Sequence, residues 1–158
     1  MTYYNPTEEE VGSAYKYFAK SILEHFNGKP DLIIGLKRGG LIPAVYLSHL
    51  LKVPLKVADY SHHQSVGDDK DSHEFIIPEI SNNIKKIVVV DDIIDTGYVI
   101  CGFLRSLQIH NDCEIIVVTL YHKHGSVFNH NKYKLYSWRN IPSNSPFVNF
   151  PWEGEYKL

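Results

Sequence analysis

The stretch VVVDDIIDTG, residues 88–97, joins three β-branched apolar residues to three carboxylates within five positions. With Ile87 the run becomes four β-branched residues long, the pattern of a strand buried on both faces. The acidic half of the stretch cannot be ordinary core, because Asp91, Asp92 and Asp95 repel one another. One reading is a solvated acidic turn in which Asp95 or Thr96 caps the next helix. The other is a ligand site. Backbone N–H groups of a turn at a helix start hold a phosphate, and carboxylates accept hydrogen bonds from sugar hydroxyls or bind magnesium. The pattern from Tyr98 to Leu107 supplies such a helix.

Strands and helices alternate on both sides of this stretch. Pro6, Thr7 and three glutamates read as a helix start, with acidic groups at the positive end of the dipole. Val11, Ala14, Tyr15, Phe18, Ile22, Leu23 and Phe26 recur at helical spacing until Asn27-Gly28-Lys29-Pro30 stops them. An apolar run, Leu32 to Leu36, breaks at Lys37-Arg38-Gly39-Gly40 and gives way to a helical pattern from Leu41 to Leu51. Val53 to Tyr60 and Ile115 to Tyr121 read as strands, with a last one at Lys134 to Ser137. The polar segment SHHQSVGDDKDSH, residues 61–73, reads as a mobile loop.

Alternation of this kind implies right-handed crossovers and a mainly parallel sheet covered on both faces. The expected fold is α/β, a single-domain three-layer sandwich with its core over about residues 6–138 and a small C-terminal hood over 139–158. Ligands of such sheets bind beyond the carboxyl ends of the strands, where both unusual turns, 37–40 and 91–97, fall.

Composition narrows the function classes. The 158 residues are 44% hydrophobic and 22% charged, as in a soluble globular domain. Sixteen basic against eighteen acidic residues leave a net charge of -2, which argues against nucleic acid as a partner. Nothing reaches the length of a membrane span, and MTYYNPTEEE lacks signal-peptide features. Cys101 and Cys113 form no CxxC pair and read as reduced thiols, so a cytoplasmic protein is expected. His62, His63, His122, His124 and His130 fall in polar loops without zinc-site spacing.

Three segments carry a resemblance. An apolar strand, two acidic residues, two apolar residues and D-T-G resemble the motif for phosphoribosyl pyrophosphate (PRPP) in type I phosphoribosyltransferases. Lys37-Arg38-Gly39-Gly40 is similar to the S-R-G-G pyrophosphate loop of the bacterial or phage-like xanthine-guanine (hypoxanthine) enzymes. Phe147 to Glu153 looks like their W-I-E-Q-P-W-D segment.

The resemblance implies the type I phosphoribosyltransferase fold and transfer of ribose 5-phosphate from PRPP to N9 of a 6-oxopurine, in nucleotide salvage. By it, Asp91 and Asp92 hold the ribose hydroxyls, with Asp92 also near Mg2+. The 5'-phosphate lies on Thr96, Gly97, Tyr98 and Val99, and Asp95 acts as general base. Lys37, Arg38, Gly39 and Gly40 bind pyrophosphate, with a non-proline cis peptide near Lys37-Arg38. Lys123 donates to the purine O6, Phe147 (or its rival Trp138) stacks on the base, and the backbone of Val148 and Asn149 meets the C2 edge. Homo-oligomers, dimers or tetramers, are common among such proteins.

Three departures stand out: Lys37 replaces a serine, Tyr60-Ser61 reverses the S-Y pair of the closing loop, and Val99 replaces a threonine. The last removes one hydrogen bond to an anion, worth about 1.5–3 kcal/mol. A phosphoribosyltransferase for another base, a PRPP-binding regulator without turnover, and a homologue with only a structural role remain as alternatives.

Overall fold

The computed structural model describes residues 3–63, 72–107, 109 and 112–154. In chain order the elements are β1 (Tyr3–Tyr4), α1 (Glu8–Phe26), β2 (Leu32–Leu36), α2 (Leu41–Leu51), β3 (Leu55–His63) and β4 (Ser72–Ile76). They continue with β5 (Lys86–Ile94), α3 (Tyr98–Ser106), β6 (Glu114–Lys123), β7 (Lys134–Ile141) and β8 (Phe147–Val148).

The start of α1 is a capping box. Thr7 Oγ1 accepts from the Glu10 N–H at 3.1 Å, and Glu10 returns a carboxylate oxygen to the Thr7 N–H at 2.8 Å. Asn27 ends the helix in the left-handed conformation. The expected apolar face is buried except for Leu23, which sits at its solvent margin.

Six strands form the main sheet in the order β4-β3-β2-β5-β6-β7, parallel except for β4. Side-chain alternation divides its core. Val88 and Val90 of β5 pack with Ile116 and Val118 of β6 on the face covered by α1 and α2. Ile87 and Val89 pack with Ile115 and Val117 on the face covered by α3. The result is three layers, because strands buried on both faces need a helix on each. From β2 the chain steps to β3 on one side, whereas β5, β6 and β7 extend the other side. The topological switch point therefore lies between β2 and β5, the strands that lead into the two unusual turns.

Several elements differ from the sequence expectation. β5 runs on through Asp91 and Asp92 to Ile94, because β6 supplies a ladder for them: Asp91 pairs with Thr119 and Ile93 with Tyr121. The turn proper is 95–97. β7 continues to Ile141, carrying the sheet past the expected start of the hood. The expected loop 61–73 is partly strand. Residues 61–63 belong to β3 and pair antiparallel with 72–74, while 64–71 lie outside the described residues. Phe75 anchors this hairpin on α3, 5.9 Å from the Phe103 ring, where Gly102 leaves it room.

The C-terminal segment closes back on the N-terminus: β8 pairs in parallel with β1 as a separate two-stranded sheet. Phe150, just beyond β8, is buried and stacks on Trp152 at 4.8 Å. No described helix is long and apolar enough to cross a membrane.

Candidate active site

A cleft of about 810 Å³ opens at the switch point, lined by both loops and by Tyr60, Trp152 and Glu153. The loop after β2 owes its shape to its glycines. A Cβ on Gly40 would lie 2.3 Å from the Val90 carbonyl oxygen and 2.8 Å from that of Leu36. A Cβ on Gly39 would lie 2.0 Å from an Asp92 carboxylate oxygen. Only a residue without a side chain lets this loop come so close to the acidic strand. The Lys37–Arg38 peptide is cis, as the resemblance implied. Lys37 Nζ meets Asp59 Oδ2 at 3.2 Å, tying the loop to β3.

At the end of β5 two carboxylates share one place. Asp91 Oδ1 accepts the Asp92 N–H at 3.0 Å, and Asp92 Oδ1 accepts the Ile93 N–H at 2.7 Å. Burial, and after it the neighbouring Asp92 charge, holds the Asp91 pKa well above the usual aspartate range. Burial also raises Asp92, and Glu153 across the cleft adds to the negative field there. The Tyr60 phenol is pushed up by burial and then by Asp91 and Asp92. Carboxyls displaced in this way at the mouth of a cleft mark a place that favours donors or a cation.

The turn after β5 is shaped by Gly97, whose φ of 88° is left-handed. The Val127 N–H donates to the Thr96 carbonyl at 2.8 Å and backs this turn from behind. At its edge Lys123 Nζ meets Asp95 Oδ1 at 3.0 Å, although 28 residues separate them in sequence. The same ammonium lies 5.8 Å from the centre of the half-exposed Phe147 ring. A hydrogen-bond donor, a carboxylate and an aromatic face thus converge on one spot.

Of the residues singled out from sequence, Lys37, Arg38, Gly39, Asp91, Asp92, Asp95, Thr96, Gly97 and Val99 line the cleft. Gly40 packs beneath the loop, and Tyr98 is largely exposed on the first turn of α3. Lys123 and Phe147 join through Asp95. The Asn149 N–H donates to the Tyr4 carbonyl and its side chain to Asn5, so alternation turns the Val148 backbone groups the other way. Trp138 packs beside Tyr17 of α1 at 5.7 Å, and neither it nor Phe147 is among the residues that line the cleft itself. Sequence reasoning did not assign Tyr60, Trp152 or Glu153. Tyr60 stands toward the carboxyl end of a strand beside β2, which was the available signal. Among the described residues no three His, Cys, Asp or Glu side chains gather as a metal cluster.

A family model described as the phosphoribosyl transferase domain matches residues 7–155. Two curated relatives are named hypoxanthine-guanine phosphoribosyltransferase. The one from Staphylococcus aureus is 24% identical over 124 residues, 74% of this chain and 67% of the relative. That from Lactococcus lactis is 29% identical over 124 residues, 74% of this chain and 65% of the relative. Among solved structures, a purine phosphoribosyltransferase from Pyrococcus horikoshii superposes with a TM-score of 0.78 at 28% identity, over 100% of this chain and 98% of the other. A xanthine-guanine-hypoxanthine phosphoribosyltransferase from Helicobacter pylori shares the fold, with a TM-score of 0.79 at 22% identity over 99% and 97% of the two chains. With a matched model spanning nearly the whole chain and its two unusual turns facing one cleft, this protein belongs to the phosphoribosyltransferase domain family.

Proposed function

We propose that the chain transfers ribose 5-phosphate from PRPP to N9 of a 6-oxopurine and releases pyrophosphate. The observation that carries this reading is the pairing of Lys123 Nζ with Asp95 Oδ1 at 3.0 Å beside the Phe147 ring. A 6-oxopurine presents an O6 acceptor next to N7, which suits an ammonium donor next to a carboxylate. Adenine presents an amino group at position 6 and would face the ammonium donor-to-donor. The names of the relatives point the same way.

In this reading Asp91 and Asp92 accept hydrogen bonds from the ribose hydroxyls, and the 95–99 backbone holds the 5'-phosphate. Lys37 and Arg38 face the pyrophosphate and offset its charge as it leaves. The raised carboxyls also suit Mg2+, which is commonly held by one or two carboxylates together with waters and substrate oxygens rather than by a cage of side chains. Asp92, with Glu153 across the cleft, would hold it, and the ion would supply charge neutralisation at the pyrophosphate. Asp95 accepts or orients the N7 proton while N9 meets C1, so the chemistry rests on placement and electrostatics.

Incubation with PRPP, Mg2+ and, in turn, guanine, hypoxanthine, xanthine, adenine and orotate tests the proposal. Pyrophosphate release with the 6-oxopurines, and none with adenine or orotate, is expected. Turnover confined to adenine or orotate would sink the base assignment. One feature favours another reading, a homologue with only a structural role: Val99 brings no hydroxyl to the phosphate turn. Neither PRPP binding nor turnover on any base would select it, whereas Mg2+-dependent PRPP binding without turnover would select a PRPP-binding regulator.

A further inference from the structure

The imidazole of His122 stands next to the site in sequence but does not line the cleft. It is 8% exposed near the end of β6, immediately before Lys123. Its Nδ1 lies 3.2 Å from Asn140 Oδ1 on β7, and its Nε2 lies 2.7 Å from Ser126 Oγ in the turn beyond Lys123. Burial holds its pKa below the usual histidine value, so the ring is neutral at neutral pH. An amide oxygen only accepts, and Asn140 Oδ1 already receives the Ser137 hydroxyl at 2.9 Å. His122 therefore carries its proton on Nδ1, and the Nε2 lone pair accepts the Ser126 hydroxyl proton.

Ser126 begins the segment on which the phosphate turn rests. A Cβ built on Gly97 would lie 3.1 Å from the backbone nitrogens of both Val127 and Phe128, and 3.4 Å from Ser126 Cβ. The Val127 N–H is bonded to the Thr96 carbonyl at 2.8 Å. One contiguous path thus runs from β7 through Asn140, His122, Ser126 and Val127 to Thr96 and Gly97. Each link is a hydrogen bond, a peptide bond or a close backbone contact, and the path joins strand β7 to a turn that lies far from it in sequence.

From this geometry we infer that His122, in its Nδ1-protonated form, is a positioning residue that holds segment 126–128 against the 95–99 turn and so presets that turn for the 5'-phosphate of the ligand. The inference rests on the proposed function for the identity of the ligand. It also offers a physical answer to Val99: a turn that lacks one side-chain donor depends more heavily on having its backbone donors already in place.

Calorimetric binding of PRPP with Mg2+, together with steady-state KM and kcat, tests this in Ser126→Ala, His122→Ala and the double variant. Ser126→Ala removes one hydroxyl from a partly exposed turn, so its melting temperature is expected to stay within about 1 °C of the parent. Its PRPP affinity is expected to fall about fivefold to tenfold, with the purine KM changed by less than about twofold. The double variant should bind PRPP no more weakly than the weaker single variant, because both changes cut one path. Unchanged PRPP affinity in Ser126→Ala, or single effects that multiply in the double variant, overturns the positioning role while leaving the proposed function standing. Absence of PRPP binding in the parent protein overturns both.

Discussion

The two ends of the central sheet treat their charges in opposite ways. At the amino end, carboxylates meet donors. Asp31 Oδ2 accepts the Lys85 and Lys86 N–H groups at 2.8 and 2.9 Å, Glu114 meets His25 at 2.7 Å, and Asp112 pairs with Lys85. Lys86 Nζ also caps the end of α1 through the Phe26 carbonyl at 3.1 Å. At the carboxyl end, the half-buried Asp91 and Asp92 stand side by side with their pKa values raised, and Glu153 adds further negative charge. Among the described residues of the amino end, Asp31, Asp112 and Glu114 each have a partner, and Asp31 ties the start of β2 to that of β5. The carboxyl end is left incomplete, in the manner of a site that a ligand finishes.

If that contrast is right, substitutions at the two ends should separate activity from stability. Asp95→Ala should cost the most, about 10²- to 10⁴-fold in kcat, with little change in melting temperature. A coupled assay of pyrophosphate release reads this, and turnover within about threefold of the parent would break the contrast at its centre. Gly39→Ala comes next, since its Cβ must displace the Asp92 carboxylate that it would meet at 2.0 Å. PRPP affinity is expected to fall more than about tenfold by calorimetry.

At the other end the signature should reverse. Asp31→Ala removes the acceptor of two backbone donors and should lower unfolding stability by about 2–3 kcal/mol in urea. The KM for PRPP should not move, and a KM change of about threefold or more would show that the two ends are not independent. The smallest effect has the opposite sign. Asp91 in the folded protein keeps its proton to higher pH than it does in the unfolded chain. Within that window the folded state binds more protons, so stability falls as pH rises. Asp91→Asn keeps the oxygen that accepts the Asp92 N–H but carries no charge. It should stabilise the ligand-free protein at neutral pH by about 1 kcal/mol and flatten its pH dependence, while turnover falls. Thermal melts from about pH 5 to pH 8 would show this, and a lower melting temperature for the variant would contradict it.

The amino end was nearly invisible in the sequence, and the carboxyl end was mostly legible. Asp91, Asp92, Asp95 and the glycine loop stand in short runs whose residue types are unusual for strand ends, so local reading found them. Asp31 is one acidic residue after a proline, and only the pairing of β2 with β5 brings Lys85 and Lys86 to it. The β3–β4 hairpin read as loop because its polar, histidine-rich strands owe their ladder to each other and to the seat of Phe75 on Phe103. Tyr60 and Glu153 fall in stretches that the resemblance marked without giving either residue a role, and it is β3 and the segment after β8 that bring them to the same cleft.

By itself the sequence determined the alternation of elements, hence the parallel sheet with helices on both faces, and it placed two chemically unusual loops at strand ends. Those properties depend on side-chain periodicity and on residue types a few positions apart. The tertiary structure decided which groups face one another: Gly39 against Asp92, Lys123 against Asp95, and His122 through Ser126 to the Gly97 turn. Such contacts join residues far apart in the chain. They exist only once strand order and the switch point between β2 and β5 are set, because a contact of a few ångströms between distant residues is a property of how strands are ordered and not of any local run.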